Sequence, residues 1–202
     1  MNSTQFDRIF RRLATILAVA ILSLCLIYIT TGILLSFYYE PTAGGAYASL
    51  KTINTEIPYG WLFRRAHDLA GNAVIVVALV QIVVMFLGRQ FRKSWLTAWI
   101  SGIFLTLSVI GLDWTAMLLD WTQEGYWRFS IELGTIEAIP FIGGQLRDIL
   151  TGGGAISTVT VAHLNTIHSY ILTLAAIILA FVHLSALIWQ EQQMYKVRAF
   201  TS

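Results

Sequence analysis

The sequence holds four histidines, His67, His163, His168 and His183. Three belong to one apolar stretch, HLNTIHSYILTLAAIILAFVHLSALIW, running from His163 to Trp189. An imidazole inside a membrane-crossing helix is costly, so it marks a functional site with a partner to be found. His168 and His183 are 15 residues apart. At ~100° and ~1.5 Å per residue they lie roughly 60° apart around a straight helix and about 22 Å apart along it. That spacing suits two stacked sites, one toward each membrane surface. The plainer alternative is a pair of interior histidines satisfied by hydrogen bonds to neighbouring helices.

His67 opens a second apolar stretch, His67 to Leu87. If both stretches enter from the same membrane face, His67 and His168 lie at matching depth. Two neutral imidazoles facing each other across a four-helix bundle is the usual setting of a low-spin haem b. About 21 Å further along the helix from His67, at the level of His183, stands Gln81. One level therefore offers two histidines and the other a histidine and an amide.

These residues need helices that cross a bilayer. The chain has 202 residues, 56% hydrophobic and 12% charged, which makes it a membrane protein, most simply one bundle. The expected fold is all-α and integral to the membrane: a four-transmembrane-helix haem-binding bundle with short surface helices between helices three and four. Crossings are expected at Leu13 to Tyr38, Trp61 to Leu87, Trp95 to about Leu119, and His163 to Trp189. The division is an N-terminal cytoplasmic segment 1–12, a membrane domain 13–189 and a cytoplasmic tail 190–202. The N-terminal apolar run is too long for a signal-peptide core and is expected to be a retained helix. Residues 42–60 read as a polar loop, and Asp113 as an interruption of the third crossing. The connection 120–160 is too polar to span; its apolar positions suggest one or two short helices on the membrane surface. Asp113, Asp120 and Glu124 are expected near the outer end of helix three, either as a proton path or as a solvated cluster.

Charge sets the orientation. Arg8, Arg11, Arg12, Arg89, Arg92, Lys93, Lys196 and Arg198 fall on one side, and Lys51, Arg64, Arg65, Arg128 and Arg147 on the other with most of the acidic residues. The excess of Lys and Arg puts both termini on the cytoplasmic, negative side. A formal charge of only +2 leaves no nucleic-acid footprint. With Cys25 as the single cysteine, no intramolecular disulfide and no CxxCH haem-attachment motif can form.

Six segments, TGILLSFYYEPT, ASLKTI, EIPYGWLFRRAH, FRKSWLTAWISG, WTQEGYW and EAIPFIGG, stand in order along the chain. In these and in its histidine spacing the sequence resembles the cytochrome b subunit of the Rieske/cytochrome b quinol oxidoreductases, in the short four-helix form of b6f complexes. The resemblance implies that His67 and His168 are axial ligands of the outer haem b and that Arg64 serves its propionates. It implies that Gly32 and Gly102 let porphyrin approach the backbone; close helix packing is the alternative use of such glycines. It assigns His183 to an inner haem whose second family histidine is Gln81 here. Arginines of the inner site correspond to Val84 and Ile188. An arginine before the outer ligand becomes His163, and a proline of helix three becomes Asp120. The cysteine that tethers a covalent haem c corresponds to Ile16, so no haem c is expected.

The family's Pro-Glu-Trp-Tyr quinol-oxidation segment is absent from the sequence, so this chain alone is not expected to be a complete enzyme. The implied partners are a subunit carrying the C-terminal half of cytochrome b, a Rieske-type iron-sulfur protein or equivalent, a c-type cytochrome or similar acceptor, quinone, the lipid membrane, and a second copy of the complex. The implied role is electron transfer from quinol oxidised at the outer surface through haem b. The alternatives are a haem b membrane anchor for a different dehydrogenase or reductase, and a structural subunit with little haem.

Overall fold

The structure, a computed structural model, describes residues 3–88 and 95–199, and side chains within 5–88 and 95–193. Among them there is no strand. The helices are α1 (Ser3–Ser36), α2 (Ala46–Thr55), α3 (Gly60–Leu87), α4 (Leu96–Leu119), α5 (Gln123–Glu137), α6 (Gly143–Thr151), α7 (Thr158–Thr166) and α8 (Thr173–Ala199). A π-helical segment, Ile167–Leu172, joins α7 to α8 without a break. Four stretches are long and apolar enough to cross a membrane: Gln5–Ser36, Gly60–Leu87, Leu96–Leu119 and Thr158–Gln193. Each satisfies its own backbone hydrogen bonds, as hydrocarbon requires. Exposed Ile16, Val76, Phe104 and Leu174 suit contact with lipid tails.

Several boundaries differ from those read in the sequence. Residues 5–12 are helical, forming the first turns of α1 continuous with the crossing. The 42–60 loop contains helix α2, whose Ala46, Leu50 and Ile53 are buried at helical spacing. Asp113 does not interrupt α4; it is exposed on an unbroken helix, toward its C-terminal end. The connection before α7 does hold two short helices, α5 and α6. The basic turn at Arg89, Arg92 and Lys93 lies outside the described residues, as do the side chains of Lys196 and Arg198.

Local chemistry explains the helix ends. Thr122 caps α5 by accepting from the Gly125 amide, and Glu124 sits in the first turn, where a carboxylate favours the helix dipole. Ser157 and Thr160 form a reciprocal capping box at the start of α7. Gly152 ends α6 in the left-handed region, with φ +77, and an added Cβ would lie 2.3 Å from Val159 Cγ1.

The chain forms two compact units. One draws on the described parts of Met1–Tyr28, Leu69–Ile110 and Leu174–Ser202. Its buried cluster comprises Ala14, Ala18, Val84, Met85, Trp95, Ala98, Ala186 and Leu187. Small alanines there bring α1, α4 and α8 close together. The other unit draws on Ile29–Asp68 and Gly111–Thr173. Its cluster centres on Phe129, Leu118, Leu164 and Val161. Within it Tyr39 donates to the Leu119 carbonyl at 2.8 Å, and the indole of Trp114 donates to Glu132, which also pairs with Arg128. These contacts hold α5 against the end of α4.

Candidate functional site

In the second unit, α3 supplies His67 and the π-helical segment supplies His168. Their ring centroids are 6.3 Å apart and the ring planes are inclined by 52°. His67 is half-buried and His168 is buried. His168 Nδ1 lies 3.0 Å from the Leu112 carbonyl and 2.9 Å from Thr115 Oγ1. A carbonyl oxygen only accepts, so Nδ1 carries the proton and donates. In the neutral ring Nε2 then keeps its lone pair. That is how metal-binding histidines are usually oriented, one nitrogen held by the protein and the other presented to the metal. His67 Nδ1 lies 3.2 Å from Thr31 Oγ1 on α1, a hydroxyl that can either donate or accept.

Two imidazoles bound to one metal, each by a bond of about 2.0–2.1 Å as seen for zinc, place their ring centres roughly 6 Å apart. The observed 6.3 Å fits an iron between the rings. Gly32 clears space beside them: a Cβ there would lie 3.0 Å from His67 Cε1. So this glycine accommodates the histidine ring itself.

The π-helical turn was not legible in the sequence. It inserts an extra residue just where His168 stands, and Thr173 Oγ1 donates to the His168 carbonyl at 2.7 Å. Such turns are frequent at functional sites. The straight-helix arithmetic of 100° per residue from His168 onward therefore does not apply.

Arg64 lies one turn before His67 on α3. Its guanidinium pairs with Asp120 at 3.1 Å. Burial holds the Asp120 carboxyl above the usual carboxylate range, and the negative charge of Asp68 adds to this while Arg64 opposes it. Burial, with Asp120 nearby, also raises the Tyr39 phenol above its ordinary value. Asp113 and Glu124 are exposed and do not join Asp120 at Arg64. His163 is set apart from the His67–His168 pair; its Nδ1 lies 3.2 Å from the Ile149 carbonyl.

The first unit holds the other candidates. His183 is 1% exposed, with Nδ1 2.9 Å from the Ala98 carbonyl and 3.2 Å from Ser101 Oγ. By the same reasoning its Nε2 carries a lone pair. That atom is buried without a hydrogen-bond partner. A Cβ on Gly102 would lie 2.8 Å from His183 Cε1. Gln81 is also buried, and its Nε2 donates to the Ala14 carbonyl at 2.8 Å. Sequence reasoning missed the hydroxyls of Thr31, Thr115 and Ser101. Their only signal was a polar residue within an apolar helix. The carbonyls of Leu112, Ala98 and Ala14 carry no signal at all.

A family model described as Cytochrome b/b6/petB matches residues 10–191. The chain belongs to the cytochrome b/b6 family. Cytochrome b6 of Mastigocladus laminosus is 32% identical over 158 residues, covering 78% of this chain and 74% of that protein. Cytochrome b6 of Oltmannsiellopsis viridis is 28% identical over the same shares. A chain of a solved structure, a hyperthermophilic respiratory Complex III, superposes with a TM-score of 0.75 at 25% identity. That match covers 87% of this chain and 47% of that chain, so the protein spans about half its length. Membership in the cytochrome b/b6 family makes this an integral membrane protein of electron transport, with haem iron implied by the family.

Proposed function

We propose that the chain is the haem b electron-transfer subunit of a membrane quinol oxidoreductase, and that His67 and His168 hold one haem b between them. The observation that carries this is the 6.3 Å ring separation combined with protein-held Nδ1 atoms. Haem b supplies one-electron redox chemistry at its iron. The chain's part is to fix both imidazoles, to exclude water and to offer charge partners. Thr31, Thr115 and the Leu112 carbonyl orient the rings. Arg64 has five N–H donors, so its pairing with Asp120 leaves donors for a propionate. The first-unit histidine, His183, is the ligand of a further haem b.

Quinol is oxidised at the outer surface, beside α5 and α6, with a partner subunit carrying the C-terminal half of cytochrome b. One electron passes to a Rieske-type iron-sulfur protein and on to a c-type cytochrome or similar acceptor. The haem b that His67 and His168 would hold would take up the other, for transfer toward the side bearing both termini. This reading includes no haem c: the resemblance puts Ile16 at the tether position, and Cys25 is buried. The sequence relationship to cytochrome b6 and the structural likeness to a Complex III chain support this reading.

The experiment is to purify the chain from native membranes, identify its companions and add quinol. Reduction of haem b by quinol, with a Rieske-type protein in the preparation, is expected. A peripheral dehydrogenase in its place would move the chain to the membrane-anchor class.

A further inference from the structure

Thr173 makes a hydrogen bond that a regular α-helix does not offer. In an α-helix a threonine hydroxyl bonds the carbonyl three or four residues back. Thr115, Thr135 and Thr166 do so here, donating to the carbonyls of Gly111, Ile131 and Ala162. Thr173 Oγ1 instead donates five residues back, to the His168 carbonyl at 2.7 Å. It does so because Ile167–Leu172 is π-helical, with i→i+5 spacing. In an α register the same hydroxyl would meet the Ser169 or Tyr170 carbonyl. The bond therefore favours one register over the other.

One turn of α4 receives the same segment. The Leu112 carbonyl and the Thr115 hydroxyl meet His168 Nδ1. A Cβ on Gly111 would lie 3.2 Å from Leu172 Cδ1, so this glycine seats the leucine. His168 and Leu172, near opposite ends of the π turn, are thus both held within residues 111–115 of α4. All of these residues belong to the second unit. A slip of one residue turns a helix by ~100°. Such a slip would take the ring off Leu112 or the leucine off Gly111. The π register is rare and needs a contact that fixes it. Thr173 supplies one at the carbonyl of the histidine itself.

Resting on the haem b reading above, we propose that Thr173 is a positioning residue for His168: its hydroxyl holds the π register that sets the imidazole against the Leu112 carbonyl and beside His67. It acts through the main chain of His168 and not as a ligand.

The test uses the full chain in its native complex, with Thr173→Val, Thr173→Ala and Thr173→Ser. Valine keeps the shape of threonine without the hydroxyl, alanine removes the hydroxyl without adding a group, and serine keeps it. Three quantities are measured: the g values of the bis-imidazole signal by electron paramagnetic resonance, the midpoint potential of that haem by redox titration, and haem per chain as the pyridine haemochrome. The valine and alanine variants should shift or lose the low-spin signal, and any haem retained should have a shifted potential. Serine should restore both to the wild-type values. Thr166→Val, which removes a bond of ordinary α spacing in the same crossing, should change neither. Wild-type g values and potential in both Thr173→Val and Thr173→Ala would overturn this proposal while leaving His67 and His168 as ligands. So would a serine variant perturbed as much as the valine one. Absence of the bis-imidazole signal from the wild type would overturn the haem b reading, and this proposal with it.

Discussion

Arg64 and Asp120 form an ion pair, with Nη2 and Oδ1 3.1 Å apart, one helical turn from His67. The resemblance gives Arg64 to a haem propionate and expects a proline where Asp120 stands. The aspartate thus puts a protein carboxylate where only the cofactor's carboxylate was anticipated. It also puts a titratable group beside the His67–His168 pair.

Asp120 should make stability depend on pH. Burial raises its folded pKa above the ordinary carboxylate value, so the folded protein binds a proton that the unfolded chain has released. The stabilisation is fully present below the unfolded pKa and is lost as pH rises through the folded one. Melting temperature relative to Asp120→Asn should therefore fall as pH rises through that window. A difference between the two proteins that does not vary with pH would contradict this.

Thr115→Val should cost about 0.5–1.5 kcal/mol, the usual worth of one hydrogen bond. His168 keeps the Leu112 carbonyl at 3.0 Å, so its ring stays oriented and haem content should not change. Thermal unfolding and the absorption spectrum check the two halves. Loss of haem on this substitution would show that the hydroxyl, rather than the carbonyl, sets the ring.

The crossings and the histidines were legible because apolar length and a costly residue in it are sequence properties. Helix α2 was hidden by its surroundings: Gly44, Gly45 and Pro58 read as a loop, while the helical spacing of Ala46, Leu50 and Ile53 was outweighed. Asp113 misled because a charge was read without knowing which face carries it. The π-helical turn at His168 is a matter of backbone register, and no residue type announces it. The acceptors that fix the rings are main-chain carbonyls, which every residue has.

Gly102→Ala should disturb the protein more than Gly32→Ala. The new methyl would lie 2.8 Å from His183 Cε1 in the first case and 3.0 Å from His67 Cε1 in the second. Overpacking of this kind costs typically about 1–3 kcal/mol. Gly102→Ala should fall toward the upper end and perturb only the His183 haem. Comparable melting temperatures and spectra for both variants would contradict the ordering.

The denatured chain should carry no haem mass. Cys25 is 4% exposed within α1, and Ile16 has no thiol to offer. Intact-chain mass spectrometry after denaturation should give the polypeptide alone. A chain heavier by one haem would refute the expectation.

Whether His67 and His168 share one haem b is measured most directly by electron paramagnetic resonance of the oxidised, purified protein. The wild type should give a low-spin bis-imidazole signal, and His67→Ala and His168→Ala should each abolish it while the His183-dependent haem remains. Survival of a normal bis-imidazole signal with both histidines replaced would contradict the account.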